Sequence, residues 1–324
     1  MKKFLAILLA VMMVLSLSAT AFADAAPKDG GSKLTFTTGG EAGTYYGFGS
    51  VLAQKISDVT SSNVTAITSG GSRANIIALE DGDAELGFSQ SDVLSYAYAG
   101  TRLFEEDGAV DCFSIVAPLY MEQVQIVTLD PNIKTVADLA GKNVSIGDSG
   151  SGVYFNAIDV LGAYGLTEDD IKPTYQGFGD STEALQDGLI DAAFVVAGAP
   201  TTAVTSLAAT KDVYLVSLDD EHIAALQEVS PYYAKTVIPA DTYGMPEDAV
   251  TVAVSAVVIA ANSVSDADVY NFLCGVFENL DDLAKAHAKA EELSLEFASS
   301  FVGVPYHAGA VQYFADKGIE VPAE

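Results

Sequence analysis

The same strand, glycine loop and helix pattern occurs twice along this chain, and no other feature restricts its fold as much. The run Thr37-Thr38-Gly39-Gly40-Glu41-Ala42-Gly43-Thr44-Tyr45-Tyr46 is echoed by Ile146-Gly147-Asp148-Ser149-Gly150-Ser151-Gly152-Val153-Tyr154-Phe155. A second echo follows each loop: Ala78-Leu79-Glu80-Asp81-Gly82 leads to Phe88, and Ala184-Leu185-Gln186-Asp187-Gly188 leads to Phe194. Two units of this kind predict two similar α/β lobes. Glycine loops at helix starts expose backbone N–H groups, where an anionic or polar ligand can sit. The echo therefore predicts a cleft with one binding loop on each wall.

Residues 1–23 read as an export signal. Lys2 and Lys3 form a basic start, Phe4 to Leu17 is apolar, and Ala21-Phe22-Ala23 is a small-x-small cleavage site. The apolar core is shorter than the ~20 residues of a membrane span, and no cysteine follows it to carry a lipid anchor. The mature chain is expected to begin near Asp24 and to work at the periplasmic or extracellular face of the cytoplasmic membrane. With 44 acidic against 15 basic residues and a net charge of −29, the chain suits neither nucleic acid nor anionic lipid. Cys112 and Cys274 are the only cysteines, and both a bridge and two buried thiols fit an exported protein.

Strands alternating with helices imply mainly parallel sheets, with ligands at the carboxyl ends of strands. Expected strands are Leu34 to Thr38, Val64 to Ile67, Leu86 to Phe88, Ser114 to Tyr120, Gln123 to Leu129, Asn143 to Ile146, Pro173 to Gln176 and Ala192 to Val196. Ser72 is placed to cap a helix over Arg73 to Glu80, and Thr182 to Asp187 suits another helix. Val250 to Ala261, apolar and β-branched but too short to span a membrane, reads as a buried strand returning the chain to the first lobe. Ser265 is placed to cap a long amphipathic helix, with Asp266 and Asp268 in its first turn. The expected division is lobe I over residues 24–125, lobe II over 126–250, and a return strand with the rest of lobe I over 251–324.

Several chemistries fail on residue types alone. Gly147-Asp148-Ser149-Gly150 looks like the surroundings of a catalytic serine. However, His222, His287 and His307 all lie downstream of Ser149, and there is no Gly-x-Ser-x-Gly elbow. Neither a Gly-x-Gly-x-x-Gly after a strand nor a phosphate-loop spacing around Gly141-Lys142 is present. Asp169-Asp170, Asp219-Asp220 and Asp281-Asp282 match no metal-ligand spacing, so no cofactor or metal is expected. The mature chain has two arginines, Arg73 and Arg102. Arg73, beside the Gly70-Gly71-Ser72 loop, reads either as the bidentate partner of a ligand carboxylate or as a surface residue of a first helical turn. Tyr45, Tyr46, Tyr154 and Phe155 suit ligand stacking or core equally.

Ordered motifs along the whole mature chain resemble the TAXI family of extracytoplasmic solute receptors, which serve tripartite (TRAP) secondary transporters. The resemblance rests on Gly39-Gly40 with Gly43-Thr44-Tyr45-Tyr46, on Gly70-Gly71-Ser72 with Asn75, and on Gln90-Ser91-Asp92. It continues through Val124-Gln125-Ile126-Val127, Gly150-Ser151-Gly152, Gly198-Ala199-Pro200, Phe277-Glu278-Asn279-Leu280 and His307-Ala308-Gly309-Ala310. In the last motif Ala308 stands where the family usually has proline. The resemblance implies a two-lobed periplasmic-binding-protein fold, type II-like, acting as a monomer without enzymatic chemistry. It also implies a small carboxylate ligand such as glutamate, glutamine or a 2-oxo acid, and membrane permease subunits as partners. Candidate ligand contacts are Gly43, Thr44, Tyr45, Ser72, Arg73, Asn75, Gln90 and Ser91 on one side. On the other they are Ser149, Ser151, Gly152, Val153, Phe178, Gly198, Ala199 and Pro200. A binding module feeding a sensor kinase, and an exported hydrolase using Ser149, are the alternative readings.

Overall fold

The computed structural model describes residues 25–106, 108–149 and 151–322; the expected export signal lies outside them. The first half runs β1 (Lys33–Thr37), α1 (Thr44–Val59), β2 (Asn63–Ile67), α2 (Ser72–Glu80), β3 (Leu86–Gln90) and α3 (Ser91–Ala99). A long strand, β4 (Phe113–Thr128), leads into the second half: β5 (Asn143–Ser145), α4 (Gly152–Ala163), β6 (Lys172–Thr174), α5 (Phe178–Gln186), β7 (Ala192–Ala197), α6 (Thr202–Ala208), β8 (Tyr214–Leu215), α7 (Asp220–Val229) and β9 (Ala234–Ile238). The long strand β10 (Ala249–Ala261) returns the chain, and α8 (Asp266–Phe277), α9 (Leu280–Ala286), α10 (Leu295–Ala298) and α11 (Ala308–Asp316) close it.

The strands form one continuous sheet in the order β2-β1-β3-β10-β4-β7-β5-β6, with β8 beside β4 and β9 beside β10. Within each half three strands are parallel: β1 with β2 and β3, and β5 with β6 and β7. The long strands run antiparallel to their neighbours and to each other. Sequence reading expects two strands where β4 is one. Met121 and Glu122 stay extended because Ser255 and Val254 of β10 pair with them, so the chain crosses without a turn.

Core membership shows the crossing directly. Phe113 to Tyr120 of β4 and Ala256 to Ala261 of β10 join the first half's core, whereas Val124, Ile126, Val252 and Val254 join the second's. On β7, Phe194 and Val196 face one core of the second half while Ala193, Val195 and Ala197 face another. Side chains alternate across a strand, so a strand covered on both faces reads as the unbroken apolar run Ala192-Ala193-Phe194-Val195-Val196-Ala197. The second sequence echo is a shared device. Gly82 and Gly188 take positive φ (75° and 70°) just past α2 and α5, where a left-handed residue ends a helix. Phe88 and Phe194 are the buried strand residues that follow.

Ser265 caps α8 as expected, accepting from the Asp268 N–H at 3.1 Å. Ser72 does not cap α2: the helix begins at Ser72 itself, behind Gly71, and the Ser72 hydroxyl accepts from the Gln90 N–H at 3.1 Å. The Gln90 N–H has no helical partner at that point, so it claims the hydroxyl. Cys112 and Cys274 are both free, and Cys274 donates to the Ala25 carbonyl at 3.0 Å.

Away from the strands, a polar bridge joins the halves. Arg102 pairs with Asp159 on α4, and the other oxygen of Asp159 accepts from Tyr233 at 3.0 Å. The Asn156 amide donates to Asp92 on α3 at 2.9 Å. Arg102 has φ 60°, a left-handed conformation that costs a non-glycine residue about 1–2 kcal/mol; its ion pair across the halves helps hold it. Asp159→Ala is expected to lower folding stability by about 1–3 kcal/mol, since it removes the acceptor of the Tyr233 hydroxyl, which keeps only the bond from Asn156, and the ion-pair partner of a part-exposed Arg102. Chemical denaturation of the two proteins checks this.

Candidate ligand-binding cleft

A cleft of about 380 Å³ opens at the carboxyl ends of the parallel strands, between the loops of the two halves. Its size falls in the ~300–1,000 Å³ range of small-molecule sites. Four helices begin on its walls: α1 behind Gly43, α2 behind Gly71, α4 behind Ser151 and α5 behind Gly177, and each of these caps and the residue after it line the cleft. Three of the four caps are glycines making no side-chain bond; only Ser151 caps, accepting from the Tyr154 N–H at 3.2 Å. The first N–H groups of a helix have no partner inside it, and the helix dipole adds positive potential there. The four starts therefore give the cleft anion-binding character without a basic side chain.

The side chains pull the other way. Glu41, Glu122, Asp148 and Asp180 line the cleft, and no lysine, arginine or histidine is among the described lining residues. Burial, and then the neighbouring Asp180 charge, raise the Asp148 carboxyl above its usual range. Gly147 places Asp148: its φ of +82° is a left-handed turn, and a Cβ there would collide with Val153. Glu122 is 2 % exposed and accepts from the Tyr45 hydroxyl at 2.6 Å. Burial first, and Asp92 behind it, push its carboxyl up to about 8 against the pull of the Tyr45 bond and Lys289. Gln90 Oε1 and Gln176 Nε2 are buried without a hydrogen-bond partner, on side chains that line the cleft. Unmet groups of this kind are costly unless something fills the site.

Of the candidate contacts, Gly43, Thr44, Tyr45, Ser72, Gln90, Ser151, Gly152, Val153 and Phe178 line the cleft. Some are engaged with the protein itself: Thr44 donates to the Gly198 carbonyl at 3.0 Å, and Tyr45 stacks on Phe88 with ring centroids 4.6 Å apart. The remaining candidates lie outside the lining. Asn75 is spent bracing the first half, donating to the carbonyls of Thr38 and Phe88 and pairing with Thr37. Ser91 accepts from the Ser255 N–H at 3.1 Å. The Arg73 guanidinium lies 5.3 Å over the Phe104 ring. Ser149 is exposed on the loop, and Gly198, Ala199 and Pro200 follow the last lining residue, Ala197. The histidines are placed elsewhere: His222 stacks on Tyr164, His287 packs on Phe48, and His307 caps α11.

Sequence reading overlooks Glu122, Asp148, Asp180 and Gln176. A signal exists for Glu122, an acid between apolar runs in a strand that is otherwise core. Gln176 and Asp180 depend on how α5 begins, at Phe178 rather than at Thr182, and Asp148 on the left-handed turn at Gly147.

Gly152 is where the walls touch. A Cβ there would collide with the Gln90 amide and come within 2.9 Å of the Ser72 hydroxyl. Gly152→Ala is therefore expected to wedge the walls apart and to weaken ligand binding at least ~10-fold. Ligand-free melting should hardly change, because alanine favours a helix over glycine. Calorimetric titration beside a melting curve checks both.

An α/β fold with a cleft flanked by paired glycine-capped helix starts is that of periplasmic binding proteins. The NMT1-like family matches residues 36–318, and the chain belongs to that family. Among solved structures, a protein from Bordetella bronchiseptica RB50 is similar at 15 % identity and TM-score 0.52, covering 88 % of this chain and 89 % of that one. A Listeria monocytogenes protein described as an L-cystine ABC transporter is similar at 15 % identity and TM-score 0.50, covering 82 % and 98 %. The periplasmic aliphatic sulphonate binding protein of Escherichia coli is 16 % identical with TM-score 0.45, covering 89 % and 84 %. The likeness to these structures is one of fold.

Proposed function

We propose that this chain is the extracytoplasmic receptor of a TRAP-type secondary transporter and that its ligand is a small α-amino acid. The observation that carries the ligand class is the pairing, in one cleft, of open helix N-termini with an acidic pair. The starts of α1, α2 and α5 suit a carboxylate, and Asp148 beside Asp180 suits an ammonium. A 2-oxo acid satisfies the first and leaves the second facing an unpaired charge. Arg73 takes no part in this reading, because its side chain is turned to Phe104.

Capture would proceed by closing the halves about the β4 and β10 crossings, close to the expected boundaries at residues 125 and 250. Closure excludes water and strengthens each polar contact. The closed receptor then docks on membrane permease subunits that draw on an ion gradient, so the chain itself performs no chemistry. The TRAP assignment is supported by the motif order described above and the amino-acid assignment by the cleft electrostatics.

A melting-temperature panel of L-glutamate, L-glutamine and 2-oxoglutarate tests the ligand class, since bound ligand raises stability by mass action. The two amino acids are expected to raise the melting temperature more than the oxo acid does. Asp148→Asn is expected to weaken the better amino acid about 10- to 100-fold, the worth of a charge-assisted hydrogen bond. A larger shift with 2-oxoglutarate, or unchanged affinity in Asp148→Asn, would overturn the amino-acid reading. The transporter assignment is tested by uptake of that amino acid in vesicles carrying the co-encoded permease, with and without this receptor.

A further inference from the structure

Glu122 sits where β4 crosses between the halves, at the floor of the cleft and almost wholly removed from water. Its side chain accepts from a hydroxyl donor, Tyr45 on α1. The charged and titratable groups around it are few. Asp92 on α3 is wholly buried and negative when ionised, and Tyr120 on the same strand has an unpartnered buried hydroxyl. Lys289, in the turn Ala288–Glu292, lies over the Tyr120 ring at 5.8 Å but is held in an ion pair by Glu292. A carboxylate buried with one neutral donor, a second acid nearby and a cation already paired is strongly disfavoured, so the group takes up a proton instead.

We propose that Glu122 is a specificity-determining residue that meets the ligand as a neutral carboxylic acid, accepting from Tyr45 on one oxygen and donating from the other to an acceptor atom of the ligand. The acceptor is a carboxylate oxygen of the bound amino acid, so this part rests on the ligand class proposed above. A neutral donor at the floor lets a carboxylate approach an acidic cleft; an ionised Glu122 would repel it. Burial that holds the group protonated up to about 8 makes the donor present at neutral pH and absent in alkali. Binding above that pH must then bring a proton with it.

The sign of the pH dependence follows from the direction of the shift. The folded carboxyl is raised from 4.5 to about 8, so stability from neutral Glu122 is fully present below the unfolded value and is lost as pH rises through about 8. Two measurements on wild type and Glu122→Gln, whose amide keeps a donor, decide the matter. Without ligand, the melting temperature of wild type is expected to fall relative to Glu122→Gln as pH rises from about 5 to about 8. Parallel profiles mean that Glu122 is already ionised and overturn the proposal, whatever the ligand proves to be.

With L-glutamine as probe, titration calorimetry at about pH 8.5 in buffers of different ionisation enthalpy counts protons. Wild type is expected to take up most of one proton per ligand beyond the Glu122→Gln value, and Glu122→Gln to keep its affinity within a few-fold. Equal proton counts in the two proteins, or a ~100-fold loss in a folded Glu122→Gln, would overturn the proposal. Failure of every compound in the panel to bind at any pH overturns the amino-acid reading; the ligand-free melting comparison then still decides the protonation of Glu122.

Discussion

Everything about the cleft depends on the pairing of β4 with β10. These two antiparallel strands run through both halves, so each half's sheet is hydrogen-bonded to the other's and any closure must bend at these crossings. Because the strands flanking them are parallel within each half, all helices that follow those strands start on the same side. Four such starts meet across one gap. The binding wall is thus a by-product of strand direction, and the glycine caps refine it by leaving the first N–H groups open. A side-chain cap at each start would have stabilised the helix and closed the site.

The cleft then balances two opposed fields. Helix N-termini favour negative charge, while Glu41, Asp148 and Asp180 favour positive charge and Glu122 is held neutral by burial. Glu41, Asp148 and Asp180 are exposed and so partly screened by water, whereas the buried Glu122 is not. A ligand carrying one sign satisfies half the wall. A ligand carrying both signs, a few bonds apart, satisfies all of it.

The paired loops were readable from sequence because each combines a local turn with a local helix start, and local signals survive in a single chain. The same holds for Ser265, for the positive-φ glycines 82 and 188, and for the apolar run of β10. What escaped depends on partners distant in sequence. Asn75 and Ser91 carry the right chemistry for ligand contacts, yet backbone groups of Thr38, Phe88 and Ser255 claim them. Arg73 has the right charge, but its guanidinium lies over the Phe104 ring and the residue is outside the cleft lining. Glu122 was the reverse case: sequence reading leaves it between two strands, and its burial beneath the cleft follows only from the pairing of β4 with β10.

The Thr44 hydroxyl on the Gly198 carbonyl, together with the Ala203 N–H on the Ala42 carbonyl at 3.1 Å, ties the start of α1 to the opposite half. A receptor that lets go of its cargo by parting its walls must break both bonds at the moment of release. Both bonds oppose opening, and because Ala42 and Thr44 also line the cleft the tie lies beside the ligand site. Opening of the cleft then becomes a question of what replaces two backbone acceptors as the walls part.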